Sequence, residues 1–433
     1  MAENLVMRRR WLGFVIAVVL GPVASGWGEE KFLLEDEETI LFFGDSITQA
    51  GGYIDYFEAF LLTRFPDRSF RVINHGISSE TISGTTEPDH DPPRPWAHQR
   101  FTRDVAAWEP DVVVACFGMN DGNYYPFEPV RFEKYQKGIR RLIERTRNEA
   151  MARLVLMTPP PFDPYQRGAG DPKAITYGYK FPAVDYDETL RRYSEWVVSL
   201  RESGQQVVDL HSAMNTHLRK RRETRVSFHL AEDAVHPNAT GHWLMAQQLL
   251  LELNAPPRVA DVAIDLEARE ATMGAVSNLT FNDGALSFVW KSPVPMGMDP
   301  EWDAESIRME GVTDRLNRYR LRVNGLPPGG YGLYEGEALI EKFESEPLRV
   351  GIDLLTLPKL KTNRAGLQVL ALVKQRREIV YRGWRASIAG TDGSKAQSME
   401  SAAADQARVS AIDAEINTLR RPVDLHLRFV PNE

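Results

Sequence analysis

Thr39-Ile40-Leu41-Phe42-Phe43-Gly44-Asp45-Ser46 is the stretch on which the fold turns. Thr39 and the four apolar residues after it form an unbroken run closed by a glycine. Such a run suits a strand buried on both faces better than a half-solvated one. After Gly51-Gly52 the pattern changes to helical spacing, from Tyr53 to about Arg64. Strand, tight turn and helix make the repeating unit of a parallel α/β sheet, where ligands bind at the carboxyl ends of strands. Ser46 stands at that end. A serine there can also serve only as a helix cap, so its position alone leaves both readings open.

The same unit recurs outward along the chain. Arg71-Val72-Ile73-Asn74 reads as a short strand leading into His75-Gly76-Ile77-Ser78. Asp111-Val112-Val113-Val114-Ala115-Cys116-Phe117 reads as another buried strand, ending in Gly118-Met119-Asn120-Asp121. Arg153-Leu154-Val155-Leu156-Met157 and Gln206-Val207-Val208-Asp209-Leu210 supply two more, with helical patterns over 132–148 and 187–203. This alternation is that of a doubly wound sheet. Further on, Asp233-Ala234-Val235-His236 precedes Pro237 and a helix reaching about Leu253, with Pro237 expected in its first turn.

These blocks hold the parts for acyl transfer through a serine ester. Ser46 can be the nucleophile and His236 the base that takes its proton. Asp233, three residues away, can hold the imidazole in the useful tautomer. Gly76 has no side chain to block a ligand from its N–H, and Asn120 can donate from its side-chain amide. With the Ser46 N–H these make three oxyanion donors. Each also has an ordinary reading: a turn glycine, a loop asparagine bonding its own backbone, an Asp-x-x-His at a helix entry.

In order and context the four blocks resemble the SGNH hydrolases, the GDSL-type esterase/lipase superfamily, from roughly Glu38 to Leu253. The resemblance implies a three-layer α/β/α, flavodoxin-like domain. It implies Ser46, Asp233 and His236 as catalytic triad, and Ser46, Gly76 and Asn120 as oxyanion hole. There are two departures. The first block reads Gly-Asp-Ser-Ile-Thr instead of Gly-Asp-Ser-Leu, a form closer to the carbohydrate esterases of the superfamily than to its lipases. In the second block Ser79 stands where another glycine is common, which bears on the shape of that loop. The expected activity is hydrolysis of short-chain esters, acetyl above all, on O-acylated carbohydrate. The alternatives are a lipase or lysophospholipase of the same superfamily, or a catalytically silent carbohydrate-binding protein.

Composition sets outer bounds. The 433 residues suffice for two or three domains, and 43% hydrophobic with 26% charged residues is a globular balance. A net charge of −8 argues against nucleic acid or an anionic membrane as partner. No cofactor is expected. The nine histidines are scattered without a metal-binding spacing, so no metal is expected either. Cys116 is the one cysteine, which precludes an intrachain disulfide, and it reads as a small buried hydrophobe. Arg8-Arg9-Arg10, the apolar segment Trp11 to Leu20 and Ala24-Ser25-Gly26 read as a signal peptide over 1–26. This implies export to a bacterial periplasm or medium, with an uncleaved anchor as the alternative. No stable membrane span is expected, and the oligomeric state stays open.

The catalytic region is expected over 27–254. Ala255-Pro256-Pro257 reads as a linker to a region over 255–433. There, Asp283-Gly284 between two alternating runs signals a hairpin, and Tyr319 to Val323, Tyr331 to Tyr334 and Val423 to Phe429 read as more strands of a β-sandwich. Two helices are expected, over 365–384 and 402–419. Arg376-Arg377 and Arg382-Gly383-Trp384-Arg385 read as a solvated helix face, with substrate contact as the alternative. Trp96, Tyr124 and Tyr125 are candidate substrate-wall residues, and Arg94 and Arg167 candidates for a charged substrate group. The plain alternative is that such loop residues pack under the loops that carry them.

Overall fold

A computed structural model describes residues 31–88, 90–163, 183–272, 274–388 and 399–432. The expected signal peptide over 1–26 and Arg167 lie outside the described residues. Five strands follow the stretches quoted above: β1 (Thr39–Gly44), β2 (Arg71–Gly76), β3 (Val112–Cys116), β4 (Arg153–Met157) and β5 (Gln206–Val208). They form one parallel sheet in the order β2-β1-β3-β4-β5. The order reverses at β1, between β2 and β3. The carboxyl ends of these strands are thus the crevice where such a sheet takes its ligand.

Alternate strand residues enter two different cores. Ile40, Phe42, Val112, Val114 and Val155 face one side, together with α2 (Gly52–Arg64), α6 (Leu210–Thr224) and α7 (Ala239–Glu252). Leu41, Phe43, Val113, Ala115 and Leu156 face the other, together with α3 (Ala97–Asp104), α4 (Pro129–Asn148) and α5 (Ala183–Ser199). Both faces are dry, which is why these strands are unbroken apolar runs. The short α1 (Ser46–Ala50) lies between β1 and α2. Two expectations move slightly. The strand read to Leu210 stops at Val208, because Asp209 caps α6 by accepting the Ser212 N–H at 3.0 Å. Pro237 precedes the first turn of α7, where Asn238 is the cap and accepts the Gly241 N–H at 3.0 Å.

The remainder builds two more sheets. One is mixed, in the order β13-β10-β6-β7, from β6 (Arg258–Asp265), β7 (Glu270–Thr272), β10 (Arg318–Asn324) and β13 (Ile352–Asp353). The other is antiparallel, in the order β12-β11-β14-β9-β8, from β8 (Val276–Asn282), β9 (Ala285–Ser292), β11 (Gly330–Glu335), β12 (Ala338–Glu344) and β14 (Val423–Pro431). Val262, Leu321, Phe288, Trp290, Leu333 and Leu427 meet in one core between them, the sandwich that the alternating patterns foretell. The Asp283-Gly284 turn has both residues at positive φ, 50° and 77°, as a two-residue hairpin requires. The helices here are α8 (Ala304–Glu310), α9 (Val312–Arg315), α10 (Ser345–Val350), α11 (Lys361–Ser387) and α12 (Met399–Leu419).

The described residues from Phe32 onward form one compact unit, and α2 is the reason. Every residue from Tyr53 to Thr63 is buried, because α7 and the sheet cover one side of α2 and α11 the other. A helix covered all round must answer its own charges internally. Asp55 and Glu58 are answered by α11: Arg377 Nε donates to Asp55 at 2.7 Å, and Arg376 lies 2.6 Å from Glu58 and 2.5 Å from Asp413 of α12. Arg376-Arg377 is therefore an internal clasp and not a solvated face. Burial still pushes the Asp55 carboxyl up to about 7, with Arg377 pulling the other way. Cys116 is buried and unbridged. No helix among the described residues is long and apolar enough to cross a membrane.

Candidate active site

Gly44 ends β1 where the chain folds sharply back. A Cβ there would lie 2.2 Å from Thr48 Oγ1 and 2.6 Å from the Cys116 carbonyl, so only glycine fits. Asp45 then caps α1, accepting the Ile47 N–H at 3.0 Å. Its carboxyl is pushed up to about 7 by burial, against the pull of that N–H. Ser46 is the first residue of α1, part-exposed at the carboxyl end of the central strand.

His236 reaches Ser46 from across the sheet: Nε2 lies 2.8 Å from Ser46 Oγ. On its far side, Nδ1 lies 2.6 Å from Asp233 Oδ2. Asp233 Oδ1 is fixed by the backbone N–H groups of Val235 at 2.9 Å and His236 at 2.8 Å. Ala234 takes a left-handed φ of 74°, which lets the four-residue loop curl its carboxylate back onto its own imidazole. Burial works to raise the Asp233 carboxyl, but the hydrogen bonds from His236 and the backbone prevail and hold it below the usual carboxylate range. An ionised Asp233 accepts a hydrogen bond from Nδ1–H, which keeps the proton on Nδ1 and leaves Nε2 to accept from the Ser46 hydroxyl. Such a relay can deliver a hydroxyl as a nucleophile.

The turn after β2 differs from expectation. The Gly76 N–H donates to Asn74 Oδ1 at 3.0 Å, so it is engaged and does not face a ligand. Gly76 is glycine for another reason: a Cβ there would lie 2.1 Å from the backbone nitrogen of Gln49, where α1 crosses it. The Ile77 N–H goes to the Gly44 carbonyl at 2.9 Å, and the Ser78 N–H to Gln49 Oε1 at 2.8 Å. Ser79 comes next with a left-handed φ of 63°, and its N–H has no partner among the described residues. The departure from a second glycine, visible in the sequence, marks this place.

Asn120 is buried beside it. Its Nδ2 donates to the Glu80 carbonyl at 3.1 Å, and its Oδ1 accepts from Arg94 Nη1 at 3.1 Å and from the Tyr124 hydroxyl at 3.2 Å. Tyr124 is thus buried behind Asn120, against Phe162 and Tyr186, and does not form a substrate wall. Trp96 lies partly buried over Gly84, its indole N–H donating to the Ile82 carbonyl at 3.1 Å. Tyr125 is part-exposed with Arg131 over its ring, at 4.8 Å. Arg94 is buried and paired with Glu87 at 2.6 Å, so it offers no open charge to a substrate. From behind, α11 reaches β2: the Tyr381 hydroxyl donates to the Gly76 carbonyl at 2.8 Å, and Trp384 stacks on His75 at 4.0 Å. Burial lowers His75 to about 4. Among the described residues no group of three or more His, Cys, Asp or Glu is placed to hold a metal ion.

Residues 42–244 match the GDSL-like Lipase/Acylhydrolase family. An acetylxylan esterase of Geobacillus stearothermophilus is 28% identical over 237 residues, which span 50% of this chain and 94% of that protein. A crystal structure of an acetylxylan esterase from the same organism aligns with 51% of this chain and 96% of its own, at 26% identity and a TM-score of 0.38. A solved gut microbial diltiazem-metabolizing enzyme superposes on 92% of this chain and 98% of its own, with a TM-score of 0.78 at 21% identity. That last likeness is one of fold, and at 92% of the chain it reaches well beyond residues 42–244. Through residues 42–244 the chain belongs to the SGNH, GDSL-type, acylhydrolases, and it is a carboxylic ester hydrolase.

Proposed function

We propose that this protein is an exported serine esterase that removes short acyl groups, acetyl above all, from O-acylated carbohydrate. The observation that carries the reading is the relay of Asp233, His236 and Ser46, with contacts of 2.6 and 2.8 Å. His236 takes the Ser46 proton as Oγ attacks the ester carbonyl. The oxyanion is received by the N–H of Ser46, the N–H of Ser79 and the free side-chain N–H of Asn120. His236 then protonates the leaving alcohol, and water repeats the sequence on the acyl-enzyme. Ser79 takes the part first given to Gly76, because the Gly76 N–H is engaged. The sugar ester is supported by the 28% identity to an acetylxylan esterase and by the Gly-Asp-Ser-Ile-Thr block. Export is supported by the basic and apolar segments over 1–26.

The test is steady-state hydrolysis of p-nitrophenyl acetate, p-nitrophenyl octanoate and acetylated xylo-oligosaccharides by the chain and by Ser46→Ala. Expected are turnover of both acetyl substrates, a preference for acetyl over octanoyl, and a loss of at least about a thousandfold in Ser46→Ala. Preference for octanoyl would make it a lipase instead. Retention on polysaccharide without turnover would make it a silent binding protein.

A further inference from the structure

We infer that Arg94 is a positioning residue for ester hydrolysis: its guanidinium clamps Asn120 and Ser79 together, so that both present their N–H groups to one oxygen. The inference rests on the reading of those two groups as oxyanion donors. Arg94 arrives on the segment between Ser79 and α3, which is pinned at several points. Ser83 N–H donates to Asp121 Oδ1 at 2.8 Å, Thr81 N–H to the Pro95 carbonyl at 3.0 Å, and Arg94 N–H to Thr86 Oγ1 at 3.1 Å. The side chain is buried and its fork is shared between two tasks. Nε and Nη2 grip both oxygens of Glu87, at 2.6 and 2.7 Å. Nη1 donates to Asn120 Oδ1 at 3.1 Å and to the Ser79 carbonyl at 3.3 Å.

The chemistry of the donors decides the geometry of the site. A primary amide is nearly symmetric in shape, so sterics alone do not choose which end faces the nucleophile. A guanidinium can only donate. Arg94 therefore forces Oδ1 of Asn120 toward itself and turns Nδ2 the other way, to the Glu80 carbonyl. A flipped amide would set two sets of donors against each other in a dry site, where an unmet donor costs about 1–3 kcal/mol. The second Nη1 hydrogen holds the Ser79 carbonyl, and so the orientation of a residue kept in a left-handed conformation, φ 63°. Glu87 balances the charge and fixes the fork in one plane. Asn123 Nδ2 also donates to Glu87, at 3.2 Å, which closes the network.

The test is a double-mutant cycle on p-nitrophenyl acetate with Arg94→Met, Asn120→Ala and the two combined. Arg94→Met is expected to lower kcat by about 10- to 100-fold with KM little changed, the pattern of lost transition-state contact. In the Asn120→Ala background the same change is expected to cost several-fold less, because only the hold on the Ser79 carbonyl is left to lose. Arg94→Lys supplies a point charge without the fork and is expected to restore only part of kcat. Arg94→Met/Glu87→Met, which leaves no unpaired buried carboxylate, controls for misfolding and is expected to keep the melting transition and the kcat defect. An undiminished kcat in a folded Arg94→Met, or an equal loss in both backgrounds, would overturn the inference while leaving the oxyanion reading intact. A fully active Asn120→Ala would overturn both.

Discussion

At the scale of single residues, the turn after β2 separates two kinds of glycine requirement. Gly76 is needed for space: its missing Cβ is what allows α1 to cross within 2.1 Å of that position. Ser79 occupies a place where glycine would serve conformation, since its φ is 63°. Gly76→Ala should therefore destabilise the chain by about 3 kcal/mol, the upper end for overpacking, because the atom it meets is backbone and cannot step aside. Urea unfolding measures this. Ser79→Gly should keep kcat within about twofold, since glycine enters the same backbone region without strain and retains the N–H. A large loss of kcat in Ser79→Gly would show that its hydroxyl, and not its backbone, matters. From sequence, both residues were visible, but the assignment between them was not. Which N–H is spent on a neighbour depends on where the Asn74 side chain goes.

At the scale of elements, α2 and α11 are one device. The apolar character of α2 tells that it is buried, yet Asp55 and Glu58 within it look like errors until α11 is in place. Reading Arg376-Arg377 as solvated fails for the same reason: a basic pair on a helix has the same pattern whether it meets water or buried carboxylates. Arg377 also lies against Gly51, the left-handed residue between α1 and α2, so the clasp sits directly behind the turn that presents Ser46. Arg377→Met leaves Asp55 buried without its cation. It should cost about 3–5 kcal/mol of stability, the range for breaking a buried pair from one side. Chemical denaturation of Arg377→Met beside Arg377→Met/Asp55→Leu checks the cause. The double variant should recover much of the loss, and a double variant as unstable as the single would point to packing instead.

At the scale of the whole molecule, the segment between β9 and β10 and the helix α11 complete the hydrolase core. Met296, Trp302, Leu316 and Leu370 belong to the same apolar cluster as Phe42, Phe57 and Trp243. Arg64 donates to the carbonyl of Leu316 at 2.7 Å, close to the join between the two regions. A chain of residues 31–254 would bare one side of α2, leave Asp55 and Glu58 unpaired and open this cluster to water. It should form aggregates or show no cooperative thermal transition. A monomer melting at the temperature of the full chain would mean that the join is a loose attachment.

The sequence alone determines the parallel sheet, because strands buried on both faces must be unbroken apolar runs, and those are local features. It also determines the order of the four blocks, the Asp283-Gly284 hairpin and the alternating strands of the sandwich, each written within a few residues. The proximity of Ser46, His236 and Asp233 is legible too, since the blocks fall at strand ends that a doubly wound sheet gathers on one edge. Only the tertiary structure decides the rest. That Tyr124 and Arg94 stand behind Asn120, that the Gly76 N–H is engaged while that of Ser79 is unpartnered, and that α11 clasps α2 are outcomes of pairing between residues up to 322 positions apart. A polar side chain carries no local mark of its partner, so hydrogen bonds and buried ion pairs become readable only when the chain has closed around them.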